Sequence, residues 1–515
     1  MVQLPTAADL NLFPVLPAII VATGMCLLLL IDLWIPEDKK NRTAWLAQGI
    51  LVTAFVVNLF TFNANDTAVM GMYVADRATA FLNMVTLFTT FICIFLAMDY
   101  LKRIGAERGE FYSLILFSAS GAMFMASAND LVMIFVALEL LSIPLYVMAA
   151  FRYRYVPGDE PTQTEINSEE AGMKYFVLGA FASAFYVYGA ALVYGGTGST
   201  NLSEIFQSVS LIGSDIAEGS LTLLVLGAGL ILVGLGFKIA VFPFHMWTPD
   251  VYEGSPTNVT AFMSVAAKIG GVAALARILA SGLPALVAGT GENAAWQLAV
   301  SSVAILTMVL GNFVAIQQSN MKRMLAYSSI AHGGYLLMAI AAAGTLGNSG
   351  ATMTAISIYL LTYMFTNLGA FAVVMAVEKP DGTGTDIDDL AGLSRSQPFL
   401  AGLMTLFMLS LVGIPATAGF IGKYFVFAAA VQAELYLLAT VGILTSVASA
   451  YYYMRPVIAM YLADDDVEGD PAEGATQYVR WAIYISGAGV LLLGILPGLA
   501  TSLIEGLVMV ASTGF

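Results

Sequence analysis

Three lysines, Lys238, Lys268 and Lys423, and one glutamate, Glu139, stand well inside long apolar runs. Before Lys238, nineteen residues from Gly219 through Phe237 carry no formal charge. A cation at the centre of a bilayer-spanning helix costs about 3 kcal/mol or more, so an ionisable group kept there is a functional hypothesis by default. Beside a carboxylate the charged amine is favoured, and away from one desolvation favours the neutral form. A lysine that alternates between these surroundings loads and releases a proton. Glu139 and Lys238 lie on different helices, and spacing does not say whether they meet. Paired, they are either such a switch or a static bridge, and buried bridges stabilise poorly against apolar packing.

Lys268, in SVAAKIGG, is about ten residues from either end of its run, roughly 15 Å along a helix axis. That is too deep for snorkelling to an interface, and small neighbours leave room for water or helices. Lys423 follows the same logic, although a helix break nearby leaves its depth open. His332, close to Ser328 and Ser329, is either a hydrogen-bonded packing residue or a proton relay. His245 ends an apolar run and could pass protons onward. Lys174, at the start of another run, either snorkels or takes up protons.

Two prolines mark where these groups are held. In GFKIAVFPFHMW, Pro243 has no N–H and frees the carbonyl of Ile239; in LVGIPATAGFIGKYF, Pro415 likewise frees Leu411. A freed carbonyl at membrane depth needs a protein or water partner. The lysine precedes its proline in the first stretch and follows it in the second. Paired interruptions of this kind point to inverted repeats with a site near the midplane.

The elements around these residues are helical and membrane-spanning. The 515-residue chain is 59% hydrophobic and 11% charged, and its mean hydropathy is +0.83, against roughly 25% charged for a soluble domain. At roughly twenty residues per crossing, about fourteen helices are expected: 13–35, 48–62, 79–99, 111–127, 130–150, 173–194, 221–242, 258–280, 296–316, 324–343, 352–377, 399–430, 437–461 and 480–508. The expected division is 1–110 for helices 1–3, 111–282 and 283–465 for two inverted five-helix repeats (helices 4–8 and 9–13), and 466–515 for helix 14. Helices 7 and 12 are broken.

Basic residues collect in alternate loops: Lys39, Lys40 and Arg42; Lys102, Arg103 and Arg108; Arg152 and Arg154; Lys322 and Arg323; Lys379 and Arg395; Arg455 and Arg480. By the positive-inside rule both termini face away from the cytoplasm. The net charge of −15 comes from loop acids such as Asp464-Asp465-Asp466, read as solvated surface. No cleavable leader is evident before the first run. Cys26 and Cys93 read as small hydrophobes. No CxxC cluster, P-loop or dinucleotide fingerprint is present, so no redox cofactor, nucleotide or nucleic acid is expected on this chain.

Three stretches carry a resemblance. PFHMWTPDVYEGSPTNVTAF at 243–262, NFVAIQQSNMKRMLAYSSIAHGGY at 312–335 and GIPATAGFIGKYFVF at 413–427 resemble the N-type antiporter-like subunits of bacterial NADH:quinone oxidoreductase, complex I. MWTPDVYEGSP is the N-type form of a segment that resembles TWLPDA in the L- and M-type relatives, and a lysine at 423 stands where M-type subunits tend to carry glutamate. The resemblance implies a proton channel in which Glu139, Lys238, Lys268 and Lys423 act, driven by electron transfer in other subunits that hold NAD, FMN, iron–sulfur clusters and quinone. It also implies M-type and small K/J/A-type partners in a bacterial plasma membrane. The alternatives are an Mrp-type cation/proton antiporter subunit and a non-pumping scaffold. Ferredoxin rather than NADH remains open as the electron donor.

Overall fold

The computed structural model describes residues 10–152, 160–211, 218–283, 295–345, 349–462 and 475–504. Among the described residues the regular elements are helices, apart from a short hairpin of β1 (Asp66–Ala68) and β2 (Tyr73–Ala75). In order it forms α1 (Leu16–Asp32), α2 (Asn41–Phe60), α3 (Arg77–Arg103), α4 (Glu110–Ser127), α5 (Leu131–Ala149), α6 (Gln163–Thr197) and α7 (Leu202–Leu211). Then come α8 (Glu218–Ile239), α9 (Thr248–Gly254), α10 (Thr257–Arg277), α11 (Ala295–Ala315), α12 (Met321–Ala342) and α13 (Ser349–Val377). After a helical turn at Leu393–Ser396 follow α14 (Pro398–Val412), α15 (Ala418–Gln432), α16 (Tyr436–Leu462), α17 (Gln477–Ile495) and α18 (Gly498–Ile504).

Twelve helices among the described residues are long and apolar enough to cross a membrane. The expected fourteen would need two more crossings, α4 and the broken pair α14–α15. The expected bounds differ at a few ends for identifiable reasons. Helix α6 begins ten residues before the expected 173, because Thr162 and Glu165 form a reciprocal capping box there. Helix α2 begins at Asn41 rather than 48. The last expected helix stops at Ile495, two residues before Pro497, and resumes as α18; its expected end, 505–508, lies outside the described residues. So do Arg154, the acidic run 464–466 and both terminal segments. Cys93 is buried, but Cys26 is exposed on α1.

Burial sorts the helices into a centre and a rim. Every residue of α10 is buried, and α12 and α13 are nearly so. A helix that is apolar all round belongs inside a large bundle, and these three pack on one another. Their starts are fixed locally: Asn320 accepts from the N–H groups of Lys322 and Arg323 at the head of α12. The broken helices, α8–α9 and α14–α15, flank this centre. The rim exposes apolar side chains such as Leu29, Phe181 and Val447, as a lipid-facing surface does.

Candidate functional site

Both breaks lie where proline and glycine place them. Helix α8 stops at Ile239, Ala240 turns left-handed at φ 65°, and Val241 N–H reaches back to the carbonyl of Gly236. The carbonyl of Phe237 is taken by Ala240 N–H and by the Trp247 indole. That leaves Ile239, the carbonyl Pro243 deprives of its donor. Lys268, from α10, supplies it: Nζ lies 3.1 Å from Ile239 O.

The second break repeats the chemistry with a different donor. Helix α14 stops at Val412, Gly413 adopts φ 92° and Ala416 φ 68°. A glycine at 413 accepts this left-handed turn without a Cβ clash. Lys423 Nζ reaches back from α15 to Leu411 O at 2.9 Å and Val412 O at 2.8 Å, and to Ser446 Oγ at 2.7 Å. It also sits 5.1 Å above the Tyr335 ring. Thus each carbonyl freed by a proline is bound by a buried ammonium.

Lys238 turns away from the break it precedes. It donates to Tyr175 Oη at 2.9 Å and lies over the rings of Tyr175 and Tyr146. Trp247 stacks on Tyr175 at 4.3 Å and fixes that ring. Lys238, Lys268 and Lys423 are 2%, 2% and 5% exposed, and none of the three forms a salt bridge among the described residues. Glu139 forms no salt bridge with Lys238 among the described residues, and its carboxylate accepts instead from Ser183 Oγ. Each of the two therefore has its own hydroxyl partner. Glu139 is only half-buried, at the bundle's edge.

His332 is buried on α12 against tyrosines of α13 and α16. Nδ1 meets Tyr359 Oη, and Nε2 lies 3.2 Å from Tyr453 Oη, which also bonds Ser328 Oγ. A small cavity of about 10 Å³ is lined by His332 and Lys423 together with Thr362, Tyr363, Thr366 and Ser410. That is room for about one water molecule. With hydroxyls and an imidazole that can each donate or accept, this stretch can relay a proton by reorientation.

Two further expected residues stand apart. Lys174 bonds Glu170 and Asp250 at the bundle surface, where Arg323 also holds Asp250 and Glu253. These ion pairs tie α9 to α6 and α12 around a cleft of about 210 Å³. His245 lies in the break segment, half-buried, with Nδ1 unpartnered among the described residues. Neither touches the buried lysines.

Sequence reading missed the tyrosines and two buried acids. Asp76 pairs with Arg277, and Glu378 with Arg152. Glu378 directly follows a 28-residue apolar crossing, and that position was the available signal. Tyr359 and Tyr363, spaced for one helix face, were available as well. Among the described residues no cluster of His, Cys, Asp and Glu could hold a metal ion.

An all-helical membrane bundle with two broken helices and buried lysines at the breaks is an antiporter-like transport protein in class. Residues 128–449 match the family described as NADH:quinone oxidoreductase/Mrp antiporter, TM. The chain is 41% identical to NADH-quinone oxidoreductase subunit N of Chloroflexus aggregans and 42% identical to that of Trichlorobacter lovleyi, over 95% of each chain. It superposes on a chain of respiratory complex I from Thermus thermophilus with TM-score 0.76 and 34% identity, covering 97% of this chain and 100% of that one. A chain of the Mrp complex from a Dietzia species shares the fold at TM-score 0.77 and 19% identity, over 98% and 97%. The chain belongs to the family of NADH-quinone oxidoreductase subunit N.

Proposed function

We propose that this chain is a proton-translocating subunit of the membrane arm of complex I, and that Glu139, Lys238, Lys268, His332 and Lys423 form its proton line. The observation that carries this reading is the pairing of buried ammonium groups with carbonyls freed at the helix breaks. A carbonyl binds the ammonium without cancelling its charge, so the proton can leave when the surroundings change. A carboxylate in direct contact would hold it more firmly. Hydroxyls of Tyr175, Tyr359 and Tyr453 and the small cavity beside His332 and Lys423 bridge toward the neighbouring groups. Lys174 and His245 stand as peripheral relays at the basic face.

In this reading the basic loops are cytoplasmic, both termini face outward across a bacterial plasma membrane, and 111–282 and 283–465 are the two repeats. Redox cofactors and quinone sit in other subunits. Glu139 shares its helix face with the exposed Val132, Val136, Ile143 and Val147. A carboxylate there is costly against lipid, which favours a protein neighbour, an M-type or a small K/J/A-type subunit.

The test is Lys238→Ala and Lys423→Ala, each in the assembled complex reconstituted into sealed vesicles, with proton uptake and electron transfer measured together. Each substitution is expected to lower protons moved per electron. Wild-type coupling in both would overturn the reading. Impaired assembly with normal coupling in the complexes that form would indicate a scaffold.

A further inference from the structure

The segment 240–256, which spans the first break, α9 and the turn into α10, is held at both ends. Lys268 grips its near end through Ile239 O. At its far end lies a buried cluster remote from the lysine line. Glu378 accepts from Arg152 Nη1 at 3.1 Å and from Thr257 Oγ1 at 2.6 Å, and Tyr100 Oη lies 2.9 Å and 3.1 Å from its two oxygens. Tyr100 Oη also accepts from the N–H of Thr257, the first residue of α10. Lys322 Nζ donates to the carbonyls of Glu253 and Ser255, 2.7 Å away in each case, where α9 ends.

The charges suit these ends. A carboxylate favours a helix N-terminus and an ammonium a C-terminus. Yet Glu378, Arg152 and Lys322 are all buried, and apolar packing would hold such a corner at no greater cost. What charged, directional hydrogen bonds add is placement. The cluster collects the end of α5, which carries Glu139, and the end of α13, which carries Tyr359. It also collects the start of α10, which carries Lys268, and through Lys322 the start of α12, which carries His332. Lys268 lies eleven residues into α10 from Thr257, about 16 Å along the axis. A shift of the corner therefore moves both Lys268 and the carbonyl it binds.

We infer that Glu378, held by Arg152 and Tyr100, is a positioning residue for proton transfer, setting the height of segment 240–256 and of α10 so that Lys268 meets Ile239 O. This rests on the proton line proposed above.

The experiment compares Glu378→Gln, Arg152→Gln, the double variant and Tyr100→Phe with Lys238→Ala in the assembled complex in sealed vesicles. Assembly, electron transfer and protons per electron are read separately. Glu378→Gln is expected to lower protons per electron about twofold or more in complexes that assemble and turn over. The double variant is expected to be no worse than the worse single one. Normal protons per electron in Glu378→Gln, or losses confined to assembly, would overturn the inference while leaving the line intact if Lys238→Ala uncouples. If Lys238→Ala stays fully coupled, the line itself fails. Should Glu378→Gln not assemble, Tyr100→Phe decides, since it removes one hydroxyl: lowered coupling supports the inference and full coupling overturns it.

Discussion

At the scale of residues, the partner of each buried lysine decides what that lysine can do. A hydrogen bond to a charged group contributes about 1.5–3 kcal/mol, and Tyr175 supplies the one Lys238 has among the described residues. Tyr175→Phe keeps the ring, its stack on Trp247 and the cation–π contact while removing that bond. Slower proton movement with the chain still folded is the expected result, read as vesicle acidification per electron transferred beside the chain's thermal stability. Tyr453→Phe removes the shared partner of His332 and Ser328, and a loss of the same kind is expected in the same assay. The lysines were legible because a charge inside an apolar run has few innocent explanations. Their tyrosine partners were not, since an aromatic ring in a membrane helix is usually packing, and which hydroxyl meets which amine is decided between helices distant in sequence. A pairing of Glu139 with Lys238 was foreseen only as a condition, and in the structure the two bond Ser183 and Tyr175 instead.

At the scale of elements, the two breaks supply the carbonyls that Lys268 and Lys423 bind. The prolines named the orphan carbonyls, Ile239 and Leu411, from sequence alone, because a missing N–H acts at a fixed offset. Which ammonium satisfies each was hidden, and the answer differs between the halves. In the second break the lysine of the broken helix itself reaches back; in the first a lysine from α10 does, freeing Lys238 to face Tyr175. Gly413→Ala tests the second break. At φ 92° an added Cβ is strained, and it would fall 2.9 Å from Lys423 Cδ. A destabilisation of about 1 kcal/mol or more is expected, read as lowered thermal stability together with reduced proton movement. Conversely, Ala240→Gly relieves a left-handed alanine worth about 1–2 kcal/mol and should not lower stability. At Gly333 a Cβ would lie 3.2 Å from Ile239 O. Gly333→Val therefore crowds the carbonyl that Lys268 binds, and impaired coupling is expected.

At the scale of the whole molecule, a charged face of Lys174, Asp250, Glu253 and Arg323 lies on a bundle whose rim is apolar. On that face Asp250 is partly buried, which raises its pKa, but the bonds and charges of Lys174 and Arg323 outweigh burial and hold it below the ordinary 3.8. A carboxyl depressed on folding contributes fully above its unfolded pKa and loses that contribution as pH falls through the folded value. The tie from α6 and α12 to α9 is thus complete at neutral pH. Asp250→Asn should leave the shape of the activity profile between about pH 6 and 8 unchanged, and a displaced optimum in that range would refute this. The all-helical, membrane-spanning class was legible from hydropathy, whereas twelve rather than fourteen of the described helices are long and apolar enough to cross. Which helices are central was less so, because α10 and the rim helices are all apolar and only packing distinguishes them. The central claim is that protons pass through Lys268 between the halves. Its most direct measurement is protons moved per electron by the assembled Lys268→Ala complex in sealed vesicles: a marked fall with electron transfer persisting is the result predicted, and a wild-type ratio would contradict the account.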